Sequence, residues 1–151
     1  MNKKSFFYCC GCLVVGLAVG YFYARVSAGS VVANTFALLN FTDLGETDER
    51  AFQAYQHDSA PVGIYALTEV LDKQTKAAQF GGKPFMNRRM ISIDLMLTHA
   101  RLAKLYDESG QTNLSEQHVV EALNCAKEWS PFITNKIILM DIVAKIDKGA
   151  K

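Results

Sequence analysis

No acidic residue precedes Asp43 in this 151-residue chain, and between Ser5 and Phe41 the only formal charge is Arg25. A stretch so poor in charge is not the solvated surface of an ordinary domain. Cysteine is scarce where it would help a small fold. Cys9, Cys10 and Cys12 lie together near the start, and Cys125 stands alone far downstream. A lone cysteine excludes a disulfide inside the downstream region, so packing must hold that region together. Cys125 is expected as a small buried apolar side chain. The CCGC run lacks a partner pair for zinc, and its thiols would have to ionise in hydrocarbon. It is not a lipoprotein box either, because the apolar run Leu13 to Val19 follows the cysteines instead of preceding them.

Other absences narrow the chemistry. There is no GxxxxGK[ST] phosphate loop, no HExxH zinc helix and no GxSxG nucleophile elbow. His57, His99 and His118 include no pair at metal-ligand spacing. His99 is expected as a hydrogen-bonded core histidine, and His118 as a solvated neighbour of Glu121. Thirteen of the sixteen basic residues and all fifteen acidic ones lie from Asp43 onward, which leaves that region close to −2. Such a mixed surface lacks the basic footprint of a nucleic-acid binder. Catalytic, cofactor-binding and metal-binding residues are accordingly all read as none, no cofactor is implied, and the chain is not expected to be an enzyme.

What is present begins with the charge-poor stretch. Phe6 to Ala24 is 19 residues without a charge, about 28 Å of helix, close to the thickness of a bilayer's hydrocarbon. Tyr21, Phe22 and Tyr23 cluster at its far end, where aromatic rings favour the interface. Lys3 and Lys4 precede the run and only Arg25 closely follows. The positive-inside rule then leaves the N-terminus in the cytoplasm and sends the remainder to the periplasmic or extracytoplasmic side. Residues 1–28 are read as a single-pass signal-anchor. A cleaved secretory signal is the alternative, with Val26-Ser27-Ala28 as its small-residue site. Gly16 and Gly20 form a GxxxG pair able to bring two such helices close, as a homo- or hetero-oligomer.

Residues 29–50 read as a linker or interfacial helix. Gly45 with Asp43, Glu46, Asp48 and Glu49 marks a solvated break. Residues 51–151 read as a helical domain. Ser59 and Pro61 open a helix that carries Ile64, Leu67 and Leu71 and ends before Gly81, Gly82 and Pro84. The basic loop Phe80 to Arg89 follows as a solvated connection. Ile91 to Glu108 has the widest apolar face, with Ile91, Leu95, Thr98, Leu102 and Leu105 beside Met96, His99, Ala103 and Tyr106. That width implies burial between two neighbours. Arg101, Lys104 and Glu108 are assigned to its polar side. Gly110 supplies a left-handed stop. Asn113 and Glu116 suggest a capping box for the next helix, which buries Val119, Ala122, Leu123 and Ala126. Ser130 and Pro131 are expected to open a last helix with Ile133, Ile137, Met140 and Ala144 on one face.

Leu102, Ala103 and Tyr106, Gly110 at the turn, then Val119, Ala122 and Leu123 together resemble one tetratricopeptide repeat over Leu102 to Leu123. Ser115 departs from the small alanine usual at its position, and Pro131 falls about four residues late. The resemblance implies a protein-binding scaffold of stacked helix hairpins. The expected fold is all-α: a transmembrane helix, then a small antiparallel bundle or short tetratricopeptide-like domain. The expected function is a membrane-anchored adaptor that binds another protein. The alternatives are a small subunit assembled through its transmembrane helix and an envelope immunity-type inhibitor. Tyr65, Tyr106, Trp129 and Phe132 are the aromatic candidates for a binding surface, with core packing expected for each.

Overall fold

A computed structural model describes residues 3–79 and 87–149, with the side chains of 3–19, 32–34, 36–38 and 40 left undescribed. The fold is all-α, with five helices and no strand among the described residues: α1 Lys3–His57, α2 Ala60–Gln79, α3 Arg88–Glu108, α4 Thr112–Trp129 and α5 Lys136–Gly149. The chain divides into two compact units between Leu39 and Asn40. The break expected around Gly45 is absent, since α1 continues unbroken to His57. Helix propagation explains this: one glycine in an established helix costs only about 1 kcal/mol. Thr47 Oγ1 donates to the Asp43 carbonyl and Arg50 pairs with Glu46 one turn away, so local polar groups are satisfied without leaving the helix.

The expected Phe6–Ala24 span lies within α1, but its side chains through Val19 are outside the described residues. Among the described residues, no helix is long and apolar enough to cross a membrane. The fold thus supports the all-α part of the expectation and not its membrane part.

In the second unit, α3 is the central element. Leu102 and Leu105 of α3 bury against Ala51 of α1 and Leu67 and Val70 of α2. Met96 and Ala100 of α3 bury against Ala122 and Ala126 of α4, Ile133, and Leu139 and Val143 of α5. The helix is therefore covered on two sides, as its broad apolar face requires. Alanines at the α3–α4 contact let the two backbones approach closely. Gly63 does the same work between α2 and α1. A Cβ there would lie 2.9 Å from Leu105 Cδ1 and 3.4 Å from Tyr55 Cα.

The helix ends follow local chemistry. Asn87 caps α3, its side chain accepting from the Met90 N–H at 2.8 Å. Gly110, at φ +74°, ends it. The Gln111 N–H donates to the Tyr106 carbonyl at 2.8 Å and the Gly110 N–H to that of Asp107 at 3.0 Å, the bond pair of a Schellman motif. Two expected caps are corrected. Helix α4 begins at Thr112 with Gln111 as cap residue, so Asn113 lies inside its first turn and forms no capping box. The last helix does not start at Pro131. Residues 131–135 form a non-helical connection that starts with a turn at Pro131 and Phe132, and Asn135 caps α5 by accepting from the Ile138 N–H at 3.0 Å. This later start rotates the buried face. Leu139 and Val143 are buried, while Ile137 is 82% exposed and Ala144 also faces solvent.

Candidate functional site

The α3–α4 hairpin brings His99 and His118 together. Their Nδ1 atoms lie 2.9 Å apart, a distance that requires one ring to donate and the other to accept. The ring centroids are 5.2 Å apart with planes tilted by 40°. Tyr106 stacks on His118 at 5.3 Å and 9°, which fixes that imidazole from the other side. Burial is the main force holding the His99 pKa down to about 4, with the neighbouring His118 charge adding and Glu121 opposing. Burial also lowers the His118 pKa, against the pull of Glu121. Both rings are half-buried at an open groove of about 680 Å³ lined by Asn113, Glu116, Gln117, Val120 and Glu121 as well. The two histidines are 19 positions apart, so no local spacing revealed them. The available signal was Gly110: a turn centred near Ser109–Gly110 sets positions 99 and 118 opposite each other.

A second cluster surrounds Arg101, a residue expected on the solvated side of its helix. Its side chain is instead only 8% exposed and pairs with Asp147 of α5. Nη2 and Nε donate to the same carboxylate oxygen at 2.7 and 3.2 Å. The guanidinium carbon lies 4.5 Å from the centroid of the Phe52 ring. Lys104 donates to the Tyr55 hydroxyl at 3.1 Å nearby. Asp48 and Asp94 also feel the Arg101 charge. Burial raises the Asp94 pKa to about 6, Asp48 adds to the shift and Arg101 opposes it. Burial raises the Asp48 pKa as well. No periodicity rule marks a buried arginine, because its stem resembles a surface residue until a carboxylate from another helix is placed against it.

A third feature lies between α2, α3 and α4. Ser92 Oγ donates to Glu128 at 2.7 Å, and Arg88 donates to the other carboxylate oxygen at 2.9 Å. These hydrogen bonds hold the Glu128 pKa below the usual carboxylate range. Cys125 lines the adjoining cavity, where burial raises its thiol pKa, followed by the charges of Glu121 and Glu128. A thiol so placed stays protonated and is a poor nucleophile. Arg88 and Arg89, expected in the basic loop, open α3 instead. Phe80 to Met86, including Lys83, fall outside the described residues.

The aromatic candidates separate into two pairs. Tyr106 packs partly buried beside the α1–α2–α3 core and Trp129 beside that of α3–α4–α5, as expected. Tyr65 and Phe132 do not join the core and are 75% and 81% exposed. Gly20 is exposed with open space around it, and Gly16 is outside the described side chains.

These features define an all-α helical domain built on a central helix, with a histidine pair in one of its grooves. No family model, curated protein or solved structure matches the chain.

Proposed function

We propose that the chain is a membrane-anchored accessory protein that binds another protein through its helical domain. The observation that carries the anchor is the surface of α1. Tyr21, Phe22, Tyr23, Val26, Val31 and Leu39 are all more than half exposed along a stretch whose only formal charge is Arg25. Exposed apolar side chains at this density need lipid or another helix around them. The lysines before the run favour a cytoplasmic N-terminus and an extracytoplasmic domain.

The adaptor reading draws on the α3–α4 hairpin. Leu102, Ala103, Val119 and Ala122 are buried, and Tyr106 and Leu123 are partly so. That is the burial pattern a tetratricopeptide-like hairpin needs. The chain acts as a tether and a binding surface, with no chemical step assigned to it. Expressed whole in membranes, it is expected to stay in the pellet through an alkaline carbonate wash, with protease reaching the domain only from the extracytoplasmic side. Release by the wash with residues 1–28 still attached would end this reading. Gel mobility against a chain starting at Gly29 separates the anchor from a cleaved signal.

A second reading, assembly through the α1 helix, has one observation in its favour. Among the described residues, no atom lies within 4 Å of where a Gly20 side chain would start. Replacing Gly16 and Gly20 with leucine abolishes association in this case and leaves adaptor binding intact.

A further inference from the structure

We propose that His99 and His118 form a site for a divalent transition-metal ion of the zinc class, bridging α3 and α4. The two Nδ1 atoms already converge on one point at 2.9 Å from each other. A tetrahedral ion bound at about 2.0–2.1 Å per imidazole nitrogen needs them about 3.3 Å apart. An opening of a few tenths of an ångström between two half-buried side chains therefore converts a shared proton into a shared metal. Imidazole is a preferred ligand for zinc and its neighbours.

The surroundings favour a cation. Besides the histidines, the groove carries two carboxylates, Glu116 and Glu121, and, among the described residues, no lysine or arginine. Glu121 follows His118 by three residues, so it rises from the same face of α4. Among the described residues no three metal-binding side chains yet meet at one point. Glu121 is exposed, and rotation about its side-chain bonds supplies the third ligand, with water completing the shell. The Tyr106 ring stacked on His118 restricts rotation of the imidazole. A bound ion would tie the hairpin across its middle and stabilise it by linkage.

The test uses the full chain in detergent with Cys9, Cys10 and Cys12 changed to serine, which removes the clustered N-terminal thiols and leaves only the partly buried Cys125. Calorimetric titration with zinc chloride at neutral pH is expected to give one ion per chain, with a rise in thermal midpoint. His118→Ala should weaken binding by at least about tenfold and Glu121→Gln by a smaller factor. Should His118→Ala lose helical circular dichroism, His118→Asn and His99→Gln provide the same comparison in chains that keep it. Absence of stoichiometric binding overturns the proposal. So does binding that survives in the folded histidine variants, because the ion is then held elsewhere.

Discussion

Ser115 is 1% exposed, and among the described residues its Oγ has no hydrogen-bond partner. A buried hydroxyl without a partner keeps its desolvation cost with nothing in return, about 1–3 kcal/mol. Alanine removes the oxygen, fits the same space and is the better helix former. Ser115→Ala should therefore stabilise the protein by about 1 kcal/mol, read as a higher denaturant midpoint with an unchanged slope. A loss of stability would mean that the hydroxyl is satisfied after all. Asp94 presents the same imbalance in a charged group. The unfolded carboxyl titrates near 3.8 and the folded one near 6. Between those values the folded state holds a proton that the unfolded chain has released, so stability falls as pH rises through that window and stays lower at pH 7. Asp94→Asn removes the cost. The expected gain is on the order of 1 kcal/mol at pH 7, discounted for partial exposure, and it should vanish by about pH 4. Unfolding curves at the two pH values check the sign.

At the scale of elements, the sequence was most legible where a single residue dictates backbone geometry. Gly110 marked the end of α3 because few other residues accept a positive φ. Replacing it with alanine is expected to cost about 1 kcal/mol, all of it from the backbone, since a Cβ there meets no other atom. Gly63 is the opposite case: its φ is ordinary, and crowding limits the position to a very small side chain. Gly63→Ala should be nearly neutral, with gained helix propensity offset by the shift forced on Leu105. Gly63→Val should lose about 1–3 kcal/mol by overpacking. Equal thermal midpoints for the two variants would contradict the close approach to Leu105 and Tyr55. The wide apolar face of α3 likewise announced two neighbours. The start of α5 was misread because Ser130-Pro131 and Asn135 are both acceptable openings, and only tertiary contact decides between them. Ile133 is anchored in the core while still in the connection, so the helix begins after it and Ile137 rotates outward. The histidine pair is illegible in the sequence for a related reason: each ring is ordinary on its own helix, and their meeting is a property of hairpin register.

Across the second unit, Arg101 and Asp147 join the last turn of α5 to the centre of α3, with Phe52 of α1 against the guanidinium. Gln56 of α1 also donates to the Asp147 backbone carbonyl, so three helices meet at this point. The net worth of such a pair is small, because the attraction between the charges is largely consumed in stripping water from both. Its integrity matters more. Asp147→Leu removes the carboxylate bonded to the guanidinium and leaves it only the charges of Asp48 and Asp94, and the expected loss is about 3 kcal/mol. Arg101→Met strands a carboxylate that is 13% exposed and nearer the chain end, where fraying can return it to water, so a smaller loss is expected. The double variant Arg101→Met/Asp147→Leu removes both charges and fills the space with apolar atoms. It should be more stable than Asp147→Leu alone and close to the parent. Denaturant midpoints for the four chains form a double-mutant cycle. If the double variant falls to the sum of the two single losses, the residues act independently and the buried pair does not join the helices as a unit. Recovery toward the parent would show that the two charges are coupled and contribute little net stability as a pair.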